Sequence, residues 1–451
     1  MPTLRLLALL ALAAPAAVAQ PLAFGSADDP FEAGSGFRPV DGIRLAVAAG
    51  PAYLPDSWRA AARLDVDGSV GRFSFGAGQA VHSGDGGLYG PEFDETTDLA
   101  RVIRYVRWNA VPGSRSYARL GPAERVTLGS GALVRGYRTT TAFDERRLGA
   151  EGAVAGRFGR VAAFAGDVLR TDGVVGAEAR LQTGARVGPL ADLALTVAGV
   201  HDLGRPSATG DSSLTGVEVT VRGTYSGFGP VAVRPFATHA RYLGQGSTLG
   251  GGLEVGSSNI GDAARATARL ALFASTADFV PGHVGPFYAV SNVGARIVDD
   301  GSFFDDARVS ELAGTPLDSL AAGVDLVLDL RLVAFGRLEV SQHFRRHIGD
   351  ETASAYGLRL AGRLAGGTRI EFALDRQDFR GVLDLIQDLG AVNSLLLDIE
   401  YPVGRRGVIL VRSRYGYRRL TEADGDAFAD GPPRFLVERR FEPLVGIRVG
   451  I

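Results

Sequence analysis

The chain has 451 residues, 48 basic against 50 acidic side chains, a formal charge of −2 and no cysteine. The near-neutral balance argues against a nucleic-acid partner. The missing cysteines exclude a small disulfide-stapled module and a lipid-anchored N-terminal cysteine. All the basic residues are arginine, and 62 residues are glycine.

Residues 1–19 read as a secretory signal, with Arg5 as the charged start, an apolar run over 6–12 and Ala17-Val18-Ala19 as the small-x-small cleavage site. No later stretch offers the ~18 consecutive apolar residues that a spanning helix needs. Residues 20–41, rich in Gly, Pro and Asp, read as an irregular lead-in, and 42–451 as one β-domain.

The first strand opens with Ile43, Leu45 and Val47; Asp67-Gly68 is the expected hairpin turn before an outgoing strand over 70–80. Residues 82–98 read as a long polar loop. Tyr105 and Trp108, ending the next strand, are candidates for an interfacial aromatic belt. Residues 114–137 are the least regular part, with glycines and arginines but no strict alternation. They read as a strand followed by a compact segment folding into an interior. Regular alternation then resumes: Glu178 and Arg180 between Ala177, Ala179 and Leu181; Glu218 and Arg222 between Val217, Val219 and Val221.

The pattern is fullest over 324–344. Val324, Leu326, Leu328, Leu330 and Leu332 share one parity and Asp325, Asp329 and Arg331 the other; after a turn at 333–336, Leu338, Val340 and Phe344 oppose Arg337, Glu339, Ser341, His343 and Arg345. Successive strand side chains point to opposite faces, so each strand carries one oily and one charged face. The same holds for Leu358 and Leu360 against Arg359 and Arg363, Ile370 and Phe372 against Arg369 and Glu371, and Leu397 and Ile399 against Asp398. It also holds for Val445, Ile447 and Val449 against Arg448. Short turns at 67–68, 156–159, 227–230, 333–336, 365–367 and 404–406 alternate with longer polar loops at 82–98, 201–213, 377–391 and 421–433. Counting strands by alternation gives about 18 to 20.

These features resemble a bacterial outer-membrane β-barrel of the porin type. The resemblance implies an all-β, closed antiparallel transmembrane barrel with short turns on the periplasmic rim and long loops outside. It further implies an outer-membrane location, contact with outer-membrane lipid, and insertion machinery reading the C-terminal strand. A homo-oligomer is compatible with it. The family's terminal aromatic is absent, since the chain ends Arg448-Val449-Gly450-Ile451. The run Thr127-Leu128-Gly129-Ser130-Gly131 is also similar to uncharacterised Bacteroidota-like barrels.

Closure requires the strand near Ile43 to pair with the one near Val445. The expected lumen-lining set is Glu178, Arg180, Arg222, Arg269, Arg331, Arg337, Glu339, Arg359, Arg363, Arg369, Glu371, Asp398, Arg412, Arg414 and Arg448. It would set charge and size selection, or serve only as cross-strand ion pairs. Constriction is expected from residues 122–147 or from 277–319, the latter carrying Asp299, Asp300, Asp305 and Asp306. Those acidic pairs and Asp424-Gly425-Asp426 offer oxygen ligands for calcium but lack the spaced-loop pattern and read as solvated loops. His343 and His347 lack the further ligands zinc needs and read as exposed rim. No metal, cofactor or catalytic residue is expected, and no Gly-x-Ser-x-Gly elbow occurs. His82, His201 and His283 read as loop residues, and His239 is the embedded histidine. The expected function is passive diffusion of small polar solutes. The alternatives are a non-conducting, plugged surface or assembly barrel, a lipid-modifying outer-membrane enzyme, and a soluble secreted β-protein.

Overall fold

A computed structural model describes residues 42–450 apart from 55–56, 85, 90–99, 101, 110–115, 124, 142, 144–146, 170–172, 204–213, 229–230, 261–263, 277–278, 289–295, 300–307, 312–320, 333–335, 349–353, 365–366, 378–392 and 420–433. The strands are β1 (Ile43–Leu54), β2 (Ser57–Val70), β3 (Phe73–Gly84), β4 (Gly87–Leu88), β5 (Ile103–Trp108), β6 (Tyr117–Gly121), β7 (Gly149–Gly156), β8 (Gly159–Ala165), β9 (Val174–Gln182), β10 (Ala191–Asp202), β11 (Thr215–Phe228), β12 (Val231–Tyr242), β13 (Ser247–Ile260), β14 (Ala264–Ser275), β15 (Arg296–Asp299), β16 (Arg308–Glu311), β17 (Ala321–Leu332), β18 (Gly336–Ile348), β19 (Ala355–Leu364), β20 (Arg369–Gln377), β21 (Asn393–Val403), β22 (Gly407–Arg419) and β23 (Arg434–Gly450). Twenty of them, all but β4, β15 and β16, pair antiparallel in chain order and close into a barrel through β1 and β23. The seam sets Ala49 opposite Val445 and Val47 opposite Ile447, so the expected pairing of first and last strands holds. The short pieces decorate the wall. β4 pairs with the end of β3, while β15 and β16 form a hairpin whose first strand runs parallel to β23, with Ile297 opposite Phe435.

An even strand number returns the chain to the rim where it began. The start of β1, the end of β23 and the β2–β3, β7–β8, β17–β18 and β21–β22 turns share that rim; the long connections after β3, β6, β14, β20 and β22 lie on the other, together with the short β1–β2 and β12–β13 links. The β2–β3 turn falls at Gly71-Arg72, not at the expected Asp67-Gly68. Gly68 continues β2 opposite Phe75, whose ring a Cβ there would meet at 2.7 Å, and Gly71 takes the left-handed backbone (φ 61) that a tight turn uses. The wall is uneven in height. β5 and β6 have 6 and 5 residues and β7 and β8 have 8 and 7, whereas β10 and β12 have 12 each.

The two faces separate by chemistry. Val217, Val219 and Val221 on β11, Leu249 and Leu253 on β13, Leu270 and Leu272 on β14, and Val445 and Ile447 on β23 are exposed on the outside. Arg63, Arg107, Glu218, Asp325, Asp398, Arg412, Glu438 and Glu442 are buried on the inside. Leucine and valine thus meet the outer medium, while ions meet one another within. Aromatic side chains mark both rims. Phe73 opposite Trp108, with Phe158 and Tyr401, sits at the short-turn rim, and Tyr53 stacks edge-on against Trp58 (5.6 Å) at the other. Tyr105 is a correction to the expected belt. It shares the inward parity of Arg107, opposite to that of Trp108, and is 1% exposed.

Candidate functional site

The segment between β6 and β7 leaves the wall and folds into the lumen as a distorted hairpin. Val126 and Tyr137 exchange backbone hydrogen bonds (2.8 and 2.9 Å), the Leu128 amide donates to the Val134 carbonyl (3.2 Å), and the Gly131 amide donates to the Leu128 carbonyl (2.8 Å). The tip turns through Gly129 (φ 58) and Gly131 (φ 81). A Cβ at Gly129 would collide with the Glu218 carboxylate, and one at Gly131 with the Arg135 guanidinium. The Leu-Gly-Ser-Gly run is therefore demanded twice, by backbone conformation and by close approach.

The hairpin is two-sided. Its apolar residues Val126, Leu128, Leu133, Val134 and Tyr137 form one buried cluster with Phe164, Val174, Ala198, Val200, Ala240 and Tyr242 of the wall. Phe279, Val284 and Tyr288, from the chain that follows β14, complete that cluster, and Val134 bridges to Val284. Tyr242 stacks on Phe279 at 4.8 Å. Each such side chain taken from water contributes about 1.5–3 kcal/mol, so this cluster holds the hairpin to the wall.

The polar side is fastened all round the barrel. At the tip, the Gly129 amide donates to Glu178 Oε2 (2.9 Å), the Ser130 amide donates to Glu218 Oε1, and Ser130 Oγ donates to Thr238 Oγ1 (3.2 Å). The Ser130 carbonyl accepts from Arg269 (2.7 Å) and from Arg135 (2.8 Å). Across the lumen Arg135 pairs with Asp325 (2.7 Å), and Arg138 with Asp375 (3.2 Å) and Ser394 (2.6 Å). Farther along, the Phe143 amide donates to the Tyr417 carbonyl at 2.7 Å. With Arg345 of β18 donating to the Gly131 carbonyl (3.4 Å), strands β9, β11, β12 and β14 thus hold one side, and β17, β18, β20, β21 and β22 the other.

His283 lies within this assembly, edge-on to Tyr288 (5.3 Å) and Tyr242 (6.2 Å). Burial pushes its imidazole down to about 4, opposed by Asp202. The Tyr288 hydroxyl donates to Asp202 at 2.6 Å, and burial followed by that carboxylate raises the phenol far above its ordinary value.

The wall charges pair across strands. Glu178 meets Arg160 (3.3 Å), Arg222 meets Glu254 (3.7 Å), Arg359 meets Glu371 (2.7 Å), and Arg369 meets Glu400 (3.9 Å). Arg412 and Arg414 both bind Asp398 (3.0 and 3.3 Å), and Arg448 binds Glu400. Arg180 lies on the inner face of β9 with Glu178, and Arg269 reaches the hairpin tip. Arg331, Arg337, Glu339 and Arg363 occupy β17, β18 and β19 at the parity of Asp325, Arg345 and Arg359, but their side chains lie outside the described residues. So do those of Asp299, His343 and His347; Asp300, Asp305, Asp306, Asp424 and Asp426 lie outside altogether. Of the two expected constrictions, residues 122–147 supply the hairpin, and the described part of 277–319 packs behind it or pairs with β23.

Several residues at the site stand outside the expected lining set. Arg135, Arg138, Asp325, Arg345 and Asp375 connect the hairpin to the wall. His82, expected in a loop, is 1% exposed on β3, 3.3 Å from Glu442. His201 ends β10 bonded to Thr215 (2.8 Å). His239, the embedded candidate, is exposed on the outer face of β12, which alternates with the inward Thr238 and Ala240. The inward parity of β17 and β23 was the available signal for Asp325 and Glu442. Among the described residues no group of three or more His, Asp or Glu gathers as a metal site.

A closed wall, apolar outside and ionic within, defines a transmembrane β-barrel. No protein-family model and no curated protein matches the chain. Solved structures similar to it include Wzi, the carbohydrate-binding outer-membrane barrel involved in group 1 capsule assembly in Escherichia coli (10% identity, 91% of this chain and 85% of that one, TM-score 0.38). Others are the siderophore receptor PirA of Pseudomonas aeruginosa (10%, 91% and 81%, 0.34) and the outer-membrane protein OpdK of the same organism (9%, 91% and 98%, 0.29). The assignment itself rests on the wall and its two faces.

Proposed function

We propose that this chain is an outer-membrane channel for small polar solutes, with the hairpin as its constriction. The observation that supports this most is the lumen's division. The hairpin lies across it at the height of Glu178, Glu218 and Arg269, and the remaining wall presents paired arginines and carboxylates to whatever passes. Width at the hairpin would exclude large solutes, and the ionic wall would sort small ones by charge. Lining roles for Glu178, Arg180, Arg222, Arg269, Arg359, Arg369, Glu371, Asp398, Arg412, Arg414 and Arg448 belong to this reading.

A second reading is favoured by the number of fastenings. A hairpin bonded to nine strands suits a plug in a non-conducting surface or assembly barrel. Planar-bilayer recording separates the two, comparing the native barrel with one in which residues 127–136 are replaced by a Gly-Ser linker. Steady current from the native protein supports the channel. Current only after replacement supports the plug. Silence from both, in preparations that keep heat-modifiable gel mobility, removes the channel reading.

A further inference from the structure

Beneath the hairpin tip three guanidinium groups converge on few acceptors. Asp325 on β17 lies directly opposite Arg345 on β18 and next to Arg269's strand β14, and Arg135 reaches it from the hairpin at 2.7 Å. Arg135 and Arg269 each donate to the same Ser130 carbonyl, at 2.8 and 2.7 Å, so their charged nitrogens share one neutral oxygen. Arg345 donates to the Pro281 carbonyl and, at 3.4 Å, to the Gly131 carbonyl. Of the further carboxylates at the tip, Glu178 holds the Gly129 amide and Arg160, and Glu218 is taken up by the Ser130 amide, Thr220 (2.9 Å) and Thr238 (3.4 Å). The Nε atoms of Arg135, Arg269 and Arg345 are all buried without a hydrogen-bond partner. Aromatic faces hold two of the side chains from behind, with Arg269 over Phe236 (4.4 Å) and Arg345 over Phe273 (5.9 Å).

A guanidinium bonded to a neutral carbonyl lacks the Coulomb attraction and the bidentate fork geometry that a carboxylate or phosphate supplies. Here two cations share Ser130's carbonyl and a third holds Pro281 and Gly131; of the carboxylates that face them, Asp325 is taken by Arg135, and Glu254, opposite Arg269, is already paired with Arg222 and Arg234. We propose that this cluster is a binding site for a small oxyanion of the phosphate or carboxylate class, with Arg135, Arg269 and Arg345 as its ligands. The anion takes the place of the backbone carbonyls as their acceptor. Because the same carbonyls hold the tip, occupancy also loosens the hairpin from β14 and β18. The inference deepens the channel reading by naming its solute class, and it rests on solutes reaching the lumen.

The test uses the whole folded barrel in detergent and does not depend on conductance. Inorganic phosphate, and acetate in a parallel arm, are titrated at constant ionic strength against chloride, and phosphate binding is read from broadening of its phosphorus resonance. Saturable broadening that chloride does not displace is expected, weakened about tenfold or more in Arg269→Gln and in Arg135→Gln and unchanged in Arg157→Gln, a turn residue stacked on Phe158 at the rim. Acetate competing with phosphate marks a general oxyanion site, and failure to compete restricts it to phosphate. Absence of saturable broadening in the unaltered protein overturns the proposal, so a variant that fails to fold leaves it open to refutation. Equal binding in folded Arg269→Gln overturns it as well. Phosphate binding without current removes the channel and keeps the site; current without phosphate binding does the reverse.

Discussion

Glu218 offers the sharpest test of the hairpin as a docked element. Its carboxylate is 1% exposed and accepts from the Ser130 amide, Thr220 and Thr238. Hydrogen bonds to charged groups contribute about 1.5–3 kcal/mol each, and an orphaned buried donor adds to the loss. In Glu218→Ala the hydroxyls of Thr220 and Thr238 still bond each other at 2.8 Å, so the net loss falls mainly on Ser130. About 3 kcal/mol of docking is then removed, roughly 150-fold in the docked-to-free ratio. Glu218→Gln keeps an acceptor oxygen and is expected to cost about 1 kcal/mol. Arg135 and Arg138 are trypsin sites shielded by docking, so cleavage of the folded barrel after these residues reports the free population. Glu218→Ala is expected to raise that cleavage steeply, with Glu218→Gln between it and the native protein. Cleavage of Glu218→Ala within twofold of native would mean that Glu218 does not hold the tip.

Leu253→Arg, on the outer face of β13, is expected to destabilise the barrel in lipid by about 2–4 kcal/mol; an unfolding free energy unchanged in urea would contradict a lipid-facing wall there. Ala49→Cys combined with Val445→Cys puts the chain's only two thiols at opposed seam positions. Cα atoms paired in this way are about 4.5–5.5 Å apart, within disulfide reach. A cross-link should form on mild oxidation, and its absence beside efficient bonding of an offset pair would break the seam register. His283 should make the hairpin acid-sensitive. Its imidazole titrates near 4 when folded and about 6.5 when free, so the unfolded form alone takes up a proton between those values. Stability is full above about pH 6.5 and declines toward pH 4, by at most about 3 kcal/mol. Melting compared at pH 7.5 and 4.5 should show a smaller acid loss in His283→Gln, and an equal loss would assign the sensitivity to the carboxylates.

The wall was legible because period-two alternation is local. Val217 to Val221 or Leu326 to Leu330 declare a strand and an oily face without reference to any other part of the chain. What stayed hidden depends on distant partners. Residues 126–137 lack alternation because each answers to a different strand: Gly129 to Glu178, Ser130 to Glu218, Arg135 to Asp325. The upstream half of β23 was missed for a similar reason. Phe435 and Val437, on its outward parity, are buried where β15 adds beside the strand, so the expected contrast between faces disappears. His82 read as loop because it opens the polar run over 82–98, whereas β3 runs on and seats its imidazole against Glu442.

The low stretch of wall at β5 to β8 has a consequence for the surrounding bilayer. At about 3.3 Å per residue the five residues of β6 cover roughly 17 Å along the strand, against the ~9–11 residues of an ordinary spanning strand. Lipid on that flank must pinch inward or tilt, at fractions of a kcal/mol for each ångström of mismatch. Neighbouring barrels that share the dent would spare part of that deformation. The flank therefore gives the molecule a preferred azimuth in a crowded membrane, set by elastic strain in the lipid.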